Sequence, residues 1–161
     1  MIRRRVKPAR GGGFDLRIPA DERELLRSLG PQLREVLVTQ AATAQPGDDP
    51  AVDRLFPVAY PTDEDRETEY RLLVRDELMS SHLAALAMLE ETADAERLDE
   101  EKLLAWMRAL NDVRLVLGTR LDVTEEGDER PTRPSDPRTA AFAVYDYLTY
   151  LQGEIIDALS G

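Results

Sequence analysis

The chain has 161 residues, 42% of them hydrophobic and 6% aromatic, which predicts a single globular domain (1–161) able to bury a core of its own. Twenty-one Lys and Arg against 32 Asp and Glu leave a net charge of −11, which argues against a protein that coats nucleic acid or anionic membrane non-specifically. With no cysteine and one histidine, disulfide frameworks, iron–sulfur clusters, zinc fingers and thiol chemistry are excluded, and no cofactor is expected.

The charge is unevenly spread. The first 40 residues carry 9 basic and 5 acidic side chains, whereas the remainder carries 12 and 27, so a basic amino end precedes a body of net charge −15. No apolar run reaches the roughly 18–20 residues of a membrane span, and Met1 to Arg5 lacks the apolar stretch of a signal peptide, so a cytoplasmic protein is expected.

Residues 1–19 read as a basic hairpin or arm. Two short runs, 2–8 and 14–19, flank Arg10-Gly11-Gly12-Gly13, and glycine's tolerance of positive φ suits a tight reversal between extended segments. From Ala20 the period changes to that of a helix, with Leu25, Leu29, Leu33, Val36 and Leu37 in three- and four-residue steps and Asp21, Glu22 and Glu24 at the positive end of its dipole. This helix should run to about Ala44, with Gly30-Pro31 imposing a kink or dividing it into two abutting helices. Residues 45–50 read as a loop, and residues 51–56 as a short helical piece.

A long helix capped by Thr62 or Asp63 should continue to about Thr92. Leu72, Met79, Leu83 and Leu86 make one apolar stripe, and Val74, Leu78, Ala85 and Leu89 a second, which predicts a helix covered on both sides at the centre of the fold. Asp99 caps the next helix, whose Leu103, Trp106, Leu110, Val113 and Leu117 form a packing seam ending near Leu121. Residues 122–135 should form an exposed acidic loop. Asp136-Pro137 restarts a helix to about residue 160, with Ala141, Val144, Tyr145, Leu148, Leu151, Ile155 and Leu159 facing inward. The fold class is therefore mainly α: a helical bundle over 20–121 and 136–160 with a small amino-terminal β-hairpin.

No catalytic constellation stands out. His82 has no partner at metal-ligand spacing and reads as a packed histidine satisfied by one hydrogen bond. The acidic clusters at Asp63-Glu64-Asp65, Glu90-Glu91, Asp99-Glu100-Glu101 and Glu125-Glu126 read as solvated surface or helix-start charge. Arg114 falls inside the apolar sector of its helix, between Leu103, Leu110 and Met107, where a guanidinium needs a carboxylate such as Asp76, Glu77 or Asp146. Asn111 and Gly118 lie on the adjoining strip, and a mid-helix glycine costs about 1 kcal/mol unless another element approaches closely. These three residues are candidates for a structural clamp. Phe142, Tyr147 and Tyr150 broaden a stripe that is already complete and are candidates for a homodimer interface. Arg3, Arg4, Arg5, Lys7 and Arg10 form a candidate basic arm for phosphate contact, set against the plainer reading of a charged edge strand.

Residues 106–123, WMRALNDVRLVLGTRLDV, together with YDYLTYLQGEIIDAL over 145–159 and the acidic-start, Leu-rich first helix, give the chain a resemblance over nearly its whole length to a known family. It resembles the actinobacterial family long catalogued as a domain of unknown function, which includes the oxidative-stress transcriptional regulator AosR. The resemblance implies a cytoplasmic, non-enzymatic regulator acting in redox stress through contact with a sigma factor or RNA polymerase, with weak or no DNA binding of its own. Redox sensing by paired cysteines cannot be carried over, because this chain has none. A structural or proteolysis-adaptor domain, and a small-ligand domain using Arg114, Asn111 and Arg120, are the alternatives.

Overall fold

A computed structural model describes residues 3–43, 49–123 and 129–161. The end of the first helix at Ala44, the loop residues 45–48, and residues 124–128 of the 122–135 loop, the acidic pair Glu125-Glu126 among them, lie outside the described residues, as do Met1 and Ile2.

Two short antiparallel strands, β1 (Val6–Pro8) and β2 (Phe14–Leu16), pair with Val6 opposite Leu16 and Pro8 opposite Phe14. Gly11, Gly12 and Gly13 turn the chain between them, all at positive φ (82°, 106° and 75°), and the Ala9 N–H donates to the Gly13 carbonyl at 2.9 Å. The hairpin is as expected, but it is extended to three strands: β3 (Arg97–Leu98) pairs with β2, placing Leu98 opposite Phe14. Two residues are too few to display a period of two, so this strand left no pattern in the sequence.

The rest is helical. α1 (Ala20–Thr43) is one helix with Pro31 inside it, not two abutting helices. Burial of Leu26, Leu29, Leu33 and Leu37 on its inner face outweighs the local break. Gly30 has a different purpose: a Cβ there would lie 2.8 Å from the Leu86 carbonyl oxygen, so its absence is what lets α1 lie against the following long helix. A four-residue helix, α2 (Pro50–Asp53), is capped by the Asp49 carboxylate, which accepts from the Ala51 N–H.

α3 (Glu64–Glu91) begins at Asp63, whose side chain accepts from the Arg66 N–H. Its expected position at the centre, covered on both sides, holds only for the second half. Leu72 and Leu73 are 78% and 73% exposed, while His82, Ala85, Leu86 and Leu89 are buried. The central helix is instead α4 (Glu100–Arg120), which touches α1, α2, α3, β3 and the last helix. Trp106 is fully buried on it, its indole N–H donating to Thr92 Oγ1 at 2.6 Å. α5 (Arg138–Ser160) follows Asp136, whose carboxylate accepts from both the backbone and the guanidinium of Arg138. Leu148, Leu151 and Ile155 face inward as expected, but Phe142, Gln152, Glu154 and Ala158 are buried as well.

Candidate functional site

The basic arm is divided by the fold. Arg3, Arg4, Lys7 and Arg10 are exposed, but Arg5 is half-buried. Its guanidinium donates to both carboxylate oxygens of Glu22, at 3.2 and 2.9 Å, and lies over the Tyr150 ring, while its backbone N–H donates to Glu154 Oε1 at 2.7 Å. Arg5 is therefore a strap joining β1 to α1 and α5, not part of a free arm. Arg23 holds the neighbouring elements together, donating to the carbonyls of Leu16, Ile18, Ala93 and Ala95. Nothing in the sequence marks it, because all four acceptors are backbone.

The clamp residues meet α5, though not through a carboxylate. Arg114 Nε donates to Thr149 Oγ1 at 2.9 Å, and the guanidinium lies 5.4 Å from the Tyr145 ring centroid. Among the described residues no carboxylate pairs with Arg114. Asp76 and Glu77 are exposed, and Asp146 pairs instead with Arg130 at 2.5 Å. The guanidinium reaches past the apolar seam to the α5 surface, where a hydroxyl and a ring face suffice. Gly118 does allow a close approach, since a Cβ there would lie 2.9 Å from Tyr145 Cε2. Asn111 Oδ1 is the acceptor for Gln152 Nε2 at 3.5 Å, so all three positions face α5.

The aromatic trio is also divided. Phe142 is buried, with the Arg130 guanidinium over its ring, and Tyr147 is half-buried with its hydroxyl out of contact with solvent. Burial, reinforced by Glu22, pushes that hydroxyl far above the usual tyrosine range. Only Tyr150 is exposed, so a dimer formed through α5 would rest on Tyr150 and Ile156, the exposed large apolar side chains of this helix.

The buried charge lies elsewhere. His82 on α3 and Asp112 on α4 are 6% and 3% exposed. His82 Nδ1 is 2.6 Å from Asp112 Oδ2, and Nε2 is 2.9 Å from the Leu55 carbonyl oxygen. Both neighbours are acceptors, so satisfying both requires a proton on each ring nitrogen, which is the imidazolium. Burial alone would depress this histidine, but the Asp112 carboxylate and the Leu55 carbonyl outweigh it and hold the pKa above the usual range. Phe56 packs its ring edge-to-face against the imidazole, and Arg75 covers Phe56 from outside. The single-bond reading of His82 was thus incomplete. The signal that would have found its partner is Asp112 itself, an acid at helical spacing between Ala109 and Val116 on a buried face.

Two openings flank this core. Between α1, α4 and α5 lies a cleft of about 480 Å³ whose walls include Leu29, Val36, Val113, Leu117 and Val144, with Glu35 and Arg120 at its margin. On the other side of α4, a more polar cavity of about 620 Å³ is lined by Arg54, Arg114, Thr119, Asp122 and Tyr145. Among the described residues no cluster of His, Asp and Glu is arranged to hold a metal ion, and no helix is long and apolar enough to cross a membrane.

Comparison with known proteins places the chain. The model of the family described as a domain of unknown function, DUF2017, matches residues 3–159. The chain belongs to this family. Among similar proteins are the oxidative stress regulators AosR of Mycobacterium tuberculosis and Mycobacterium bovis, each 30% identical over 148 residues covering 81% of this chain and 67% of the relative. No solved structure matches.

Proposed function

We propose that this chain is a non-enzymatic regulator of the oxidative stress response that works by docking on a protein of the transcription machinery, a sigma factor or RNA polymerase. The similarity to AosR proteins over most of the chain supports the regulatory part. The observation that carries the docking part is the cleft between α1, α4 and α5. Its lining is largely apolar, with Glu35 and Arg120 among it, which suits the apolar face of a partner helix. An acidic body steers toward basic protein surfaces and away from DNA phosphates, so a protein is the favoured first contact. Arg3, Arg4, Lys7 and Arg10 then supply a small positive edge for DNA held beside such a partner.

The test is binding of the purified chain to sigma factor, core polymerase and promoter DNA, each alone at physiological salt. Saturable binding to one of the proteins, lost in Val36→Asp with the helical circular dichroism preserved, is the expected result. Tight sequence-specific binding to DNA alone, or protein binding indifferent to Val36→Asp, would overturn the proposal.

A further inference from the structure

The cavity on the far side of α4 is distinct from the docking cleft and has its own chemistry. Several of the chain's arginines are neutralised: Arg5 by Glu22, Arg34 by Glu90, Arg71 by Glu67, Arg120 by Asp49, Arg130 by Asp146. Arg54 and Arg114 both line the 620 Å³ cavity, and among the described residues neither has a carboxylate within ion-pair distance. Arg114 is half-buried, fixed by Thr149 and by the Tyr145 ring through Nε, which leaves its two terminal nitrogens free to donate. Two guanidinium groups against the single carboxylate of Asp122 leave this cavity net positive in a chain of net charge −11, which suits an anion.

The scaffold supports the backbone beneath both groups. Leu55, next to Arg54, is anchored by His82 through its carbonyl, and Asp112, two residues before Arg114, is the other partner of that same histidine. One buried ion pair therefore fixes the backbone under both arginines, which is the support a preorganised site requires. The other wall carries Asp122, held at φ 57°, and the Thr119 and Tyr145 side chains. Asp122 accepts hydrogen bonds and repels a second anionic group, so the ligand must present donors there. The cavity also far exceeds the size of an inorganic anion and falls in the range of small-metabolite sites.

We propose that this cavity binds a small phosphate monoester bearing hydroxyl groups, its phosphate held by Arg54 and Arg114 and its hydroxyls turned to Asp122. The inference does not depend on the docking reading. Calorimetric titration at constant ionic strength with glycerol 3-phosphate, inorganic phosphate and glycerol tests it. Saturable binding is expected for glycerol 3-phosphate, at least fivefold weaker binding for inorganic phosphate, and none for glycerol. R54Q and R114Q should each weaken glycerol 3-phosphate at least tenfold, and D122N should narrow its advantage over inorganic phosphate. R108Q, an exposed α4 position outside the cavity, should change nothing. Arg54 is exposed, so R54Q reads binding apart from folding. Absence of saturable binding by glycerol 3-phosphate, or its retention in the R54Q/R114Q double variant with circular dichroism unchanged, would overturn the site. Equal affinity for inorganic phosphate and glycerol 3-phosphate would overturn the assigned ligand class.

Discussion

His82 Nδ1 and Asp112 Oδ2 lie 2.6 Å apart in the interior, joining α3 to α4, and the other ring nitrogen of the histidine ties both helices to the segment that follows α2. Three elements thus meet at one buried charge pair. Such a pair adds little over well-packed apolar residues, but removing one member strands the other without water or partner. Asp112→Ala and His82→Ala are each expected to cost about 3–5 kcal/mol, measured by denaturant unfolding, whereas His82→Leu combined with Asp112→Leu should recover much of that loss. Equal destabilisation in the single and double variants would show that the pair is not the unit that matters.

The same pair sets a pH dependence. The folded-state pKa of His82 is raised, so its proton is bound more tightly in the native chain than in the unfolded one. Its contribution is complete below the ordinary histidine value of about 6.5 and fades as pH rises through the higher folded value. Melting temperature should therefore decline on the alkaline side, and His82→Gln should flatten that decline. A wild-type profile parallel to that of the variant throughout would contradict the imidazolium assignment.

Two helical glycines separate close approach to backbone from close approach to a side chain. At Gly30 the obstructing atom is the Leu86 carbonyl oxygen, which moves only if α1 and α3 part. Gly30→Ala is expected to cost about 1–3 kcal/mol of overpacking, which a helix-propensity gain of about 1 kcal/mol only partly offsets. At Gly118 the obstacle is the edge of the half-buried Tyr145 ring, which can swing, so Gly118→Ala should stay within about 1 kcal/mol of wild type. Thermal melts of the two variants side by side check the order.

Arg114→Ala should destabilise by less than about 1 kcal/mol, because it gives up a hydroxyl hydrogen bond and a ring contact at a half-exposed site and leaves no buried acid behind. Chemical denaturation with an unchanged m-value is the measurement, and a loss of several kcal/mol would point to a charge partner after all.

The elements that the sequence made legible are those with long periodic stretches and explicit caps: α4 starts after Asp99, α3 after Asp63, and the hairpin turns on its three glycines. What it concealed depends on contacts between distant segments. β3 exists only because β2 offers it an edge, and Gly30 beside Pro31 reads as a break until α3 is seen to lie against it. Hydrophobic spacing likewise gave α3 two faces, although Leu72 and Leu73 are left largely exposed. At the candidate sites, Arg114 was a visible anomaly whose partner was misassigned. Asp112 was the less visible one, since its charge is revealed only by knowing which face of α4 meets His82.

The hydrogen bond from the Arg5 backbone to Glu154 spans 149 residues of chain. During synthesis β1 leaves the ribosome well before α5, the helix that receives it, so the hairpin must wait with its docking side uncovered until α5 arrives. Docking of β1 on α5 is then a late event that reports on the integrity of the segment between them. A truncation that removes the end of α5 from Glu154 onward would leave Arg5 held by Glu22 and β1 by its pairing with β2 but without the Glu154 anchor, while α3 and α4 stay joined through His82 and Asp112.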